Sequence, residues 1–361
     1  MGSKLSALTS LRFFGALLVF VSHLNFLRQS DSLVVSDFYS GYLYEGYIGV
    51  TFFFVLSGFI LAYANHGRVF SYSEYLFSRL ARIYPLHLLT LLLSIPVLVA
   101  VGGGSSSVSK YVSALLLNVS LFQALIAKAS VYFSFNAPSW SLSVEFFFYL
   151  LFPFLISFST RVLVSVVVFV VLLKVVLALL VGGALEHFLF YIFPPLRLAD
   201  FLVGILLFRL YVGGPVYTFR QASFCQALSL FVLVAFFSLG QYIPQSHRFD
   251  IYYLLPMACL VFSFAHQQGV LAQAISSRLL VLLGEASFAF YLVHQLVIIV
   301  GQEVRLRLNS DHAVLTDAGF AVVYFSISLA LSIFLFKYYE TPARMKMISL
   351  WRRRREGGAT V

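Results

Sequence analysis

Long apolar runs with few charged residues recur along the whole chain, and they are the feature that most limits how it can fold. A run of about 20 apolar residues is long enough for a helix to cross the hydrocarbon core of a bilayer. Ten runs of this kind have predicted bounds of 8–28, 46–65, 82–101, 141–158, 162–182, 188–211, 222–242, 251–267, 279–303 and 317–339. Charged residues are only 11% of the chain, too few to cover a water-soluble surface of this size. We therefore predict an all-α, polytopic integral membrane protein.

The basic residues are unevenly distributed between these runs, and their placement predicts the orientation of the chain. With the N-terminus inside the cell, sixteen Lys and Arg residues fall on the cytoplasmic side and six on the outer side, which is the bias that membrane insertion favours. Ten spans then bring both termini to the cytoplasm. The densest basic run, Trp351–Arg355, follows the last span. We interpret it as an anchor for anionic membrane lipid and expect no nucleic-acid partner.

No connection between the runs is long enough for a separate soluble domain. We predict a transmembrane domain over 1–345 and a basic cytoplasmic tail over 346–361, with 352–361 disordered. The amphipathic stretch 111–127 is too interrupted for a span, so it lies at the membrane interface or re-enters the bilayer. The two cysteines exclude a disulfide framework and a thiolate metal cluster, and we expect no metal ion.

The first run contains two ionisable side chains, and in a membrane span such groups must be paired or face water. Arg12 and His23 are eleven residues apart, which is about three helical turns. Both therefore lie on one helix face, about 16 Å apart along the axis. Structural interpretations are a snorkelling arginine for Arg12 and a hydrogen-bonded packing histidine for His23. The functional interpretation makes this face one wall of a site.

Further polar residues mark the third and fourth runs. Arg79 and Arg82 share a helix face at i, i+3, where two guanidinium groups could clamp a phosphorylated ligand or anchor the helix at the cytoplasmic surface. Glu145 lies one turn after Ser141 in a phenylalanine-rich span, a position at which a carboxylate needs a partner. Trp140 precedes both residues at the expected outer interface.

The later runs add another charged pair and a polar helix face. Arg197 and Asp200 stand at i, i+3 within one span, and we expect them to neutralise each other. Ser287, Tyr291 and His294 fall on one face of the ninth run.

The tenth run closes with "YYETPAR", in which Glu340 and Arg344 flank Pro342. We expect Pro342 to end the helix, and the two charges could simply fix that end.

In their order and spacing these motifs resemble those of the acyltransferase 3 family, bacterial membrane acyltransferases that modify sugars and related acceptors. The resemblance covers nearly all of residues 5–345, although each motif alone is weak. The motifs are Arg12 with His23, "GVTFFFVLSGFIL" from Gly49, "RLARIYP" from Arg79, "WSLSVEFFFYLLFP" from Trp140, "SFAFYLVH" ending at His294, and the final "ETPAR". One departure is Thr51, where many relatives carry an acidic residue. Glu45 is the suggested substitute.

The resemblance implies a multi-pass enzyme of the bacterial cytoplasmic (inner) membrane, with no permanently bound cofactor. It would move an acyl group, expected to be acetyl, from acyl-coenzyme A to a hydroxyl of a sugar, a lipid-linked sugar or an exopolysaccharide precursor. His23 would be the general base, with Glu145 orienting it. Arg12, Arg79 and Arg82 would hold the coenzyme phosphates, and Trp140, Tyr291 and His294 would contact the substrate. We expect direct transfer; Ser141 is the candidate nucleophile of the alternative, an acyl-enzyme.

Another class of function stays open from the sequence alone. In a transporter or a lipid-linked glycan flippase, the buried Arg, His and Glu residues would form a substrate or proton path. Consumption of acyl-coenzyme A with release of free thiol separates the enzyme from the transporter. A membrane-bound O-acyltransferase of a different fold is a third interpretation, but its paired Asn/His pattern is not evident in these spans.

Overall fold

The computed structural model of the protein describes residues 5–68, 71–100, 108–307 and 316–357. These residues form helices, and no β-strand occurs among them. The α-helices are α1 (Ser6–Ser22), α2 (Leu33–Gly41), α3 (Gly49–Asn65), α4 (Tyr72–Ala100), α5 (Val108–Ser120), α6 (Ala129–Tyr132), α7 (Trp140–Leu155), α8 (Thr160–Leu180), α9 (Ala184–His187), α10 (Pro194–Gly213), α11 (Phe219–Leu239), α12 (Gln245–Arg248), α13 (Ile251–Ala265), α14 (Val270–Ile275), α15 (Arg278–Arg307), α16 (Asp317–Leu335) and α17 (Thr341–Gly357). Between them lie 3₁₀ turns at Asn25–Gln29, Leu43–Ile48, Gln123–Leu125, Ala137–Ser139 and Gly240–Tyr242, and π-helical turns at Phe188–Ile192 and Phe336–Glu340.

The helices confirm a polytopic membrane architecture. Within the described ranges, nine helical stretches are long and apolar enough to cross a bilayer. Each of them overlaps one of the predicted runs, and together they account for nine of the ten. The first run corresponds to α1, an apolar helix of 17 residues, which at 1.5 Å per residue is about 26 Å long. α1 is therefore slightly shorter than the usual span.

The first helix ends earlier than the sequence predicts. The predicted run extends over 8–28, but α1 ends at Ser22 and is followed by a 3₁₀ turn over Asn25–Gln29. The hydroxyl of Tyr39 donates to the carbonyl oxygen of Ser22 at 2.7 Å, and a longer α-helix would need that carbonyl for its own backbone. A contact from a distant residue thus helps to end the helix and leaves His23 at its C-cap.

Close backbone contact joins the central helices. α3 packs mainly on α10, and α1 packs mainly on α15. A Cβ atom at Gly58 would overlap the carbonyl oxygen of Phe201, and one at Gly204 would overlap that of Val55, so α3 and α10 cross where both positions need glycine. In contrast, most side chains of α8 and α11 are exposed, as expected for helices that face lipid.

The amphipathic stretch 111–127 does not form a span. It contains most of the 13-residue α5 and the 3₁₀ turn that follows. Gln123, which is fully buried, donates from Nε2 to the Ser139 carbonyl at 3.1 Å, and the buried Asn136 donates from Nδ2 to the Leu292 carbonyl at 2.9 Å. The first bond ties the 3₁₀ turn after α5 to the start of α7, and the second ties the segment before α7 to α15.

Pro342 does not end the last helix, contrary to the prediction. The helix continues from Asp317 through the π-helical turn Phe336–Glu340 into α17. Pro342 is the second residue of α17, and proline is tolerated in a first helical turn because its missing N–H needs no partner there. The π-helical turn lies immediately before this position, at the change of hydrogen-bond register.

The predicted tail is also helical over most of its length. α17 continues to Gly357, so the predicted disorder of 352–361 is wrong for 352–357, while 358–361 lie outside the described residues. The predicted domain boundary after residue 345 falls inside α17 and stays a prediction.

Candidate active site

A cavity of about 250 Å³ lies between α1, α3, α4, α7 and α15. Half of its lining residues are apolar. Its other lining residues are Thr9, Arg12, Ser57, Arg79, Arg82, Ser141, Glu145, Tyr149, Ser287 and Tyr291. Six of the nine predicted site residues therefore line one space, although they come from four helices. His23, Trp140 and His294 do not line it.

The cavity has two chemically different ends. α3 lines it from Val50 to Leu61, which is about 16 Å of helix. Near the start of α3, the ring of Phe53 lies 6.1 Å from the ring of Tyr291. One turn further along α3, Ser57 contacts Glu145 at 3.4 Å. We name the end near Tyr291 the hydroxyl end and the opposite end the arginine end.

The arginine end carries an excess of positive charge. Its charged residues are Arg12, Arg79, Arg82, Arg344, Glu145 and Glu340, which interact electrostatically with one another. In the described part of the chain, no carboxylate forms a direct ion pair with Arg12, Arg79 or Arg82. Four arginines against two glutamates, without direct pairing of the lining arginines, suit an anionic ligand.

Glu145 has hydrogen-bond partners other than the predicted one. It accepts a short hydrogen bond from the Tyr149 hydroxyl and a longer one, at 3.4 Å, from the Ser57 hydroxyl. No hydrogen bond joins it to His23 among the described residues. The structure therefore does not support Glu145 as the group that orients His23, although its place in the cavity wall keeps it a candidate for another role.

A pair of hydroxyl groups lies at the hydroxyl end. Ser141 Oγ is 2.8 Å from Tyr291 Oη, and the two oxygens lie within hydrogen-bond distance of the Pro138 carbonyl, at 3.0 and 3.1 Å. Within the described residues, no histidine or carboxylate is hydrogen-bonded to Ser141. A serine nucleophile normally needs such a base, so the geometry gives Ser141 no visible activation.

Two histidines meet next to the hydroxyl end. Nε2 of His294 is 3.1 Å from Nδ1 of His23, and their ring centroids are 5.0 Å apart. The His294 ring is also 5.9 Å from the Tyr291 ring. His294 is fully buried, while His23 is partly exposed. α1 and α15 thus bring together two residues that are 271 positions apart in the sequence.

Trp140 lies behind the cavity rather than at a water-exposed interface. It is buried at 4% exposure. Its ring packs edge-on against Phe54 at 6.4 Å and lies tilted against Tyr191 at 4.7 Å. Because Phe54 lines the cavity, Trp140 supports the wall from behind. Its predicted contact with substrate stays a prediction.

A buried charge cluster lies beside the same wall. The predicted pair of Arg197 and Asp200 is present at 2.8 Å. Asp250 joins it through a short ion pair with Lys174 and a contact of 3.5 Å with Arg197. All four side chains are at most 1% exposed. The guanidinium of Arg197 lies 5.0 Å above the ring of Phe54, which connects the cluster to the cavity wall.

The departure from the family pattern at Thr51 falls in this cluster. The hydroxyl of Thr51 accepts a hydrogen bond of 2.9 Å from Arg197. Glu45, the suggested substitute for an acidic residue here, forms an ion pair with Arg248 instead. The carboxylates next to Arg197 are those of Asp200 and Asp250.

Sequence reasoning did not give site roles to several of these residues. Tyr149 lies one turn after Glu145, and that i, i+4 spacing was an available signal. Asp250 as the partner of Lys174 had no comparable signal, because the two are 76 positions apart.

Comparison with known proteins identifies the family of the chain. The family model Acyl_transf_3, described as an acyltransferase domain, matches residues 5–337. The chain is also similar to the acyltransferase MdmB of Streptomyces mycarofaciens, with 30% identity over 322 residues that cover 83% of this chain and 81% of the relative. No solved structure matches the chain.

The long apolar helices define a multi-pass membrane protein, and the cavity between them carries a group of charged and polar side chains. The chain belongs to the acyltransferase 3 family and is a membrane O-acyltransferase.

Proposed function

We propose that this enzyme transfers a short acyl group, with acetyl as the expected group, from acyl-coenzyme A to a hydroxyl of a sugar or of a cell-surface glycan precursor. The observation that carries the proposal is one cavity with unpaired arginines at one end and two hydroxyls at the other, with a histidine pair beside them. This arrangement suits a long ligand that is anionic at one end and reactive at the other.

The arginine end would bind the coenzyme. Its phosphates need several cationic donors, and the planar guanidinium fork matches phosphate oxygens better than an ammonium does. Arg12, Arg79 and Arg82 supply three such forks. In this proposal the arginine end faces the cytoplasm, where the coenzyme is available.

The dimensions of the site favour a short acyl group. Arg12 and His23 are separated by about 16 Å along α1, a distance that suits a pantetheine arm. A cavity of about 250 Å³ is below the usual range of roughly 300–1,000 Å³ for small-molecule sites. With the arm inside, little volume remains for a long acyl chain.

His23 would act as the general base in direct transfer. Its imidazole takes the proton from the acceptor hydroxyl while the hydroxyl oxygen bonds to the thioester carbonyl carbon. The carbon–sulfur bond then breaks, the electron pair leaves with the thiolate, and the imidazolium returns the proton to sulfur. The products are an ester and free coenzyme A thiol, so no metal and no acyl-enzyme are needed.

The test is His23→Ala, assayed in membranes that contain the natural glycan acceptor and labelled acetyl-coenzyme A. We expect thiol release and label transfer to fall by at least about 10²-fold, because general-base catalysis typically contributes 10²–10⁴. His66→Ala is the matched control, since His66 is exposed at the end of α3. Normal turnover of His23→Ala at equal protein level would remove His23 from the mechanism.

A further inference from the structure

His294 is a fully buried histidine whose two ring nitrogens both have partners. Nδ1 lies 3.2 Å from the carbonyl oxygen of Phe290, and Nε2 lies 3.1 Å from Nδ1 of His23. Nδ1 of His23 is in turn 2.9 Å from the carbonyl oxygen of Val19. These contacts form a chain that begins and ends at backbone carbonyls.

The chemistry of the partners assigns the protons along this chain. A backbone carbonyl can only accept, so Nδ1 of His294 carries a proton and donates to Phe290. In a neutral ring Nε2 of His294 then has a lone pair, and it accepts from the Nδ1–H of His23. The same N–H also faces the Val19 carbonyl. All three contacts are satisfied by this assignment, whereas the opposite tautomers would place a lone pair against a carbonyl at both ends.

The assignment leaves Nε2 of His23 as the basic nitrogen. Among the described residues this nitrogen has no hydrogen-bond partner, and the His23 side chain is partly exposed. It is therefore the nitrogen available to an incoming hydroxyl. The other tautomer would present an N–H there, and a flipped ring would present the C–H of Cε1; neither group can take a proton.

We propose that His294 is a positioning residue that fixes the tautomer and ring orientation of His23. This inference rests on the proposed function, in which His23 is the general base. When Nε2 of His23 takes the substrate proton, the bond from its Nδ1–H to His294 becomes charge-assisted and stronger. His294 thus occupies the place that a carboxylate holds in a hydrolase triad, but as a neutral acceptor.

The surroundings of His294 keep its ring in place. Phe290 stacks at 6.2 Å with an interplanar angle of 19°, and Phe20 packs edge-on at 6.1 Å. Both phenylalanines are buried. The ring that holds His23 is therefore itself held by packing, as a positioning group requires.

The test compares two substitutions of His294 in the full-length protein. His294→Leu removes the acceptor, and we expect kcat to fall by about 10²-fold while the KM for acetyl-coenzyme A stays within about twofold. His294→Gln keeps a side-chain oxygen that can accept from the His23 Nδ1–H, so it should restore kcat to within about 10-fold of the original. Gln295→Leu is the control for loss of a polar residue in the same turn of α15.

The outcomes separate this inference from the proposed function. An inactive His23→Ala together with a fully active His294→Leu would overturn the positioning role and leave His23 as the base. An active His23→Ala would overturn the proposed base itself. A purely structural role predicts that the Leu and Gln variants lose activity equally and that the KM for acetyl-coenzyme A rises with the loss. The chain of hydrogen bonds predicts rescue by Gln at unchanged KM.

Discussion

At the scale of single residues, the arginines give the cavity its positive charge. They have no direct carboxylate partner among the described residues, so their guanidinium groups are available to a ligand. Arg79 and Arg82 stand one turn apart on α4 and line the same wall. An arginine inside a membrane protein is costly unless it is paired or solvated. Two such residues beside a cavity are therefore better explained by a bound anion than by anchoring alone.

The first prediction concerns these two arginines. Replacing both by Ala should raise the KM for acetyl-coenzyme A by about 10²–10⁴-fold, because each of the two lost hydrogen bonds to a charged group contributes roughly 1.5–3 kcal/mol. Replacing both by Lys should recover only part of the loss, since lysine keeps the charge but not the fork. Steady-state kinetics against donor and acceptor measure this, with the exposed Arg220→Ala as control. A rise confined to the acceptor KM would place the coenzyme elsewhere.

The second prediction separates direct transfer from an acyl-enzyme. Ser141→Ala removes the only hydroxyl predicted as a nucleophile. The Ser141 hydroxyl is hydrogen-bonded to Tyr291 and to a backbone carbonyl rather than to a base. We expect kcat to remain within about 10-fold, the cost of a lost hydrogen bond. Rapid-quench assays should find no protein-bound label after mixing with labelled acetyl-coenzyme A. Complete loss of turnover, or label covalently bound at Ser141, contradicts direct transfer.

The positions of the helices could be predicted from the sequence, whereas their contacts could not. Length and hydropathy located the nine long apolar stretches found among the described residues, since the bilayer imposes a minimum length on each helix. The i, i+3 pair of Arg197 and Asp200 was also predictable because its spacing is local. The contact of His23 with His294 and the end of α1 at Ser22 depend on tertiary packing. No periodicity in a single segment contains that information.

Packing between elements also explains the buried charge cluster. Lys174 comes from α8, Arg197 and Asp200 from α10, and Asp250 from the residue before α13. Two positive and two negative side chains make the cluster neutral. The cluster therefore joins three elements, and losing one member leaves an uncompensated buried charge.

The third prediction follows from this neutrality. Asp250→Asn should lower the free energy of unfolding by about 3–5 kcal/mol, the usual cost of breaking a buried pair from one side. Adding Lys174→Met restores a balanced cluster and should recover part of that loss. Thermal unfolding in detergent, followed for both single variants and the double variant, measures the coupling. Strictly additive effects would show that Lys174 and Asp250 are independent.

For the whole molecule, the number of membrane crossings determines whether the two termini lie on the same side of the membrane. Ten crossings place both termini on one side, but α1 is only about 26 Å long and close to the lower limit for a span. If α1 did not cross, the termini would lie on opposite sides and the arginine end would no longer share its side with the N-terminus. The bias of basic residues, sixteen to six, favours ten crossings with both termini in the cytoplasm.

The fourth prediction tests this orientation with introduced cysteines. In a chain carrying Cys225→Ser and Cys259→Ser, we expect Ser349→Cys on α17 to react with a membrane-impermeant maleimide only in inside-out vesicles. Ser32→Cys, just before α2, should react only in right-side-out vesicles, because one crossing separates it from the N-terminus. Both side chains are exposed, so the side of the membrane on which each lies decides whether the reagent reaches it. A cysteine at Ser3 completes the test. Labelling of Ser3→Cys and Ser349→Cys in the same vesicle type supports ten crossings. Labelling of Ser3→Cys in the same vesicle type as Ser32→Cys would show that α1 does not cross the membrane. The assignment of the arginine end to the cytoplasm would then be wrong.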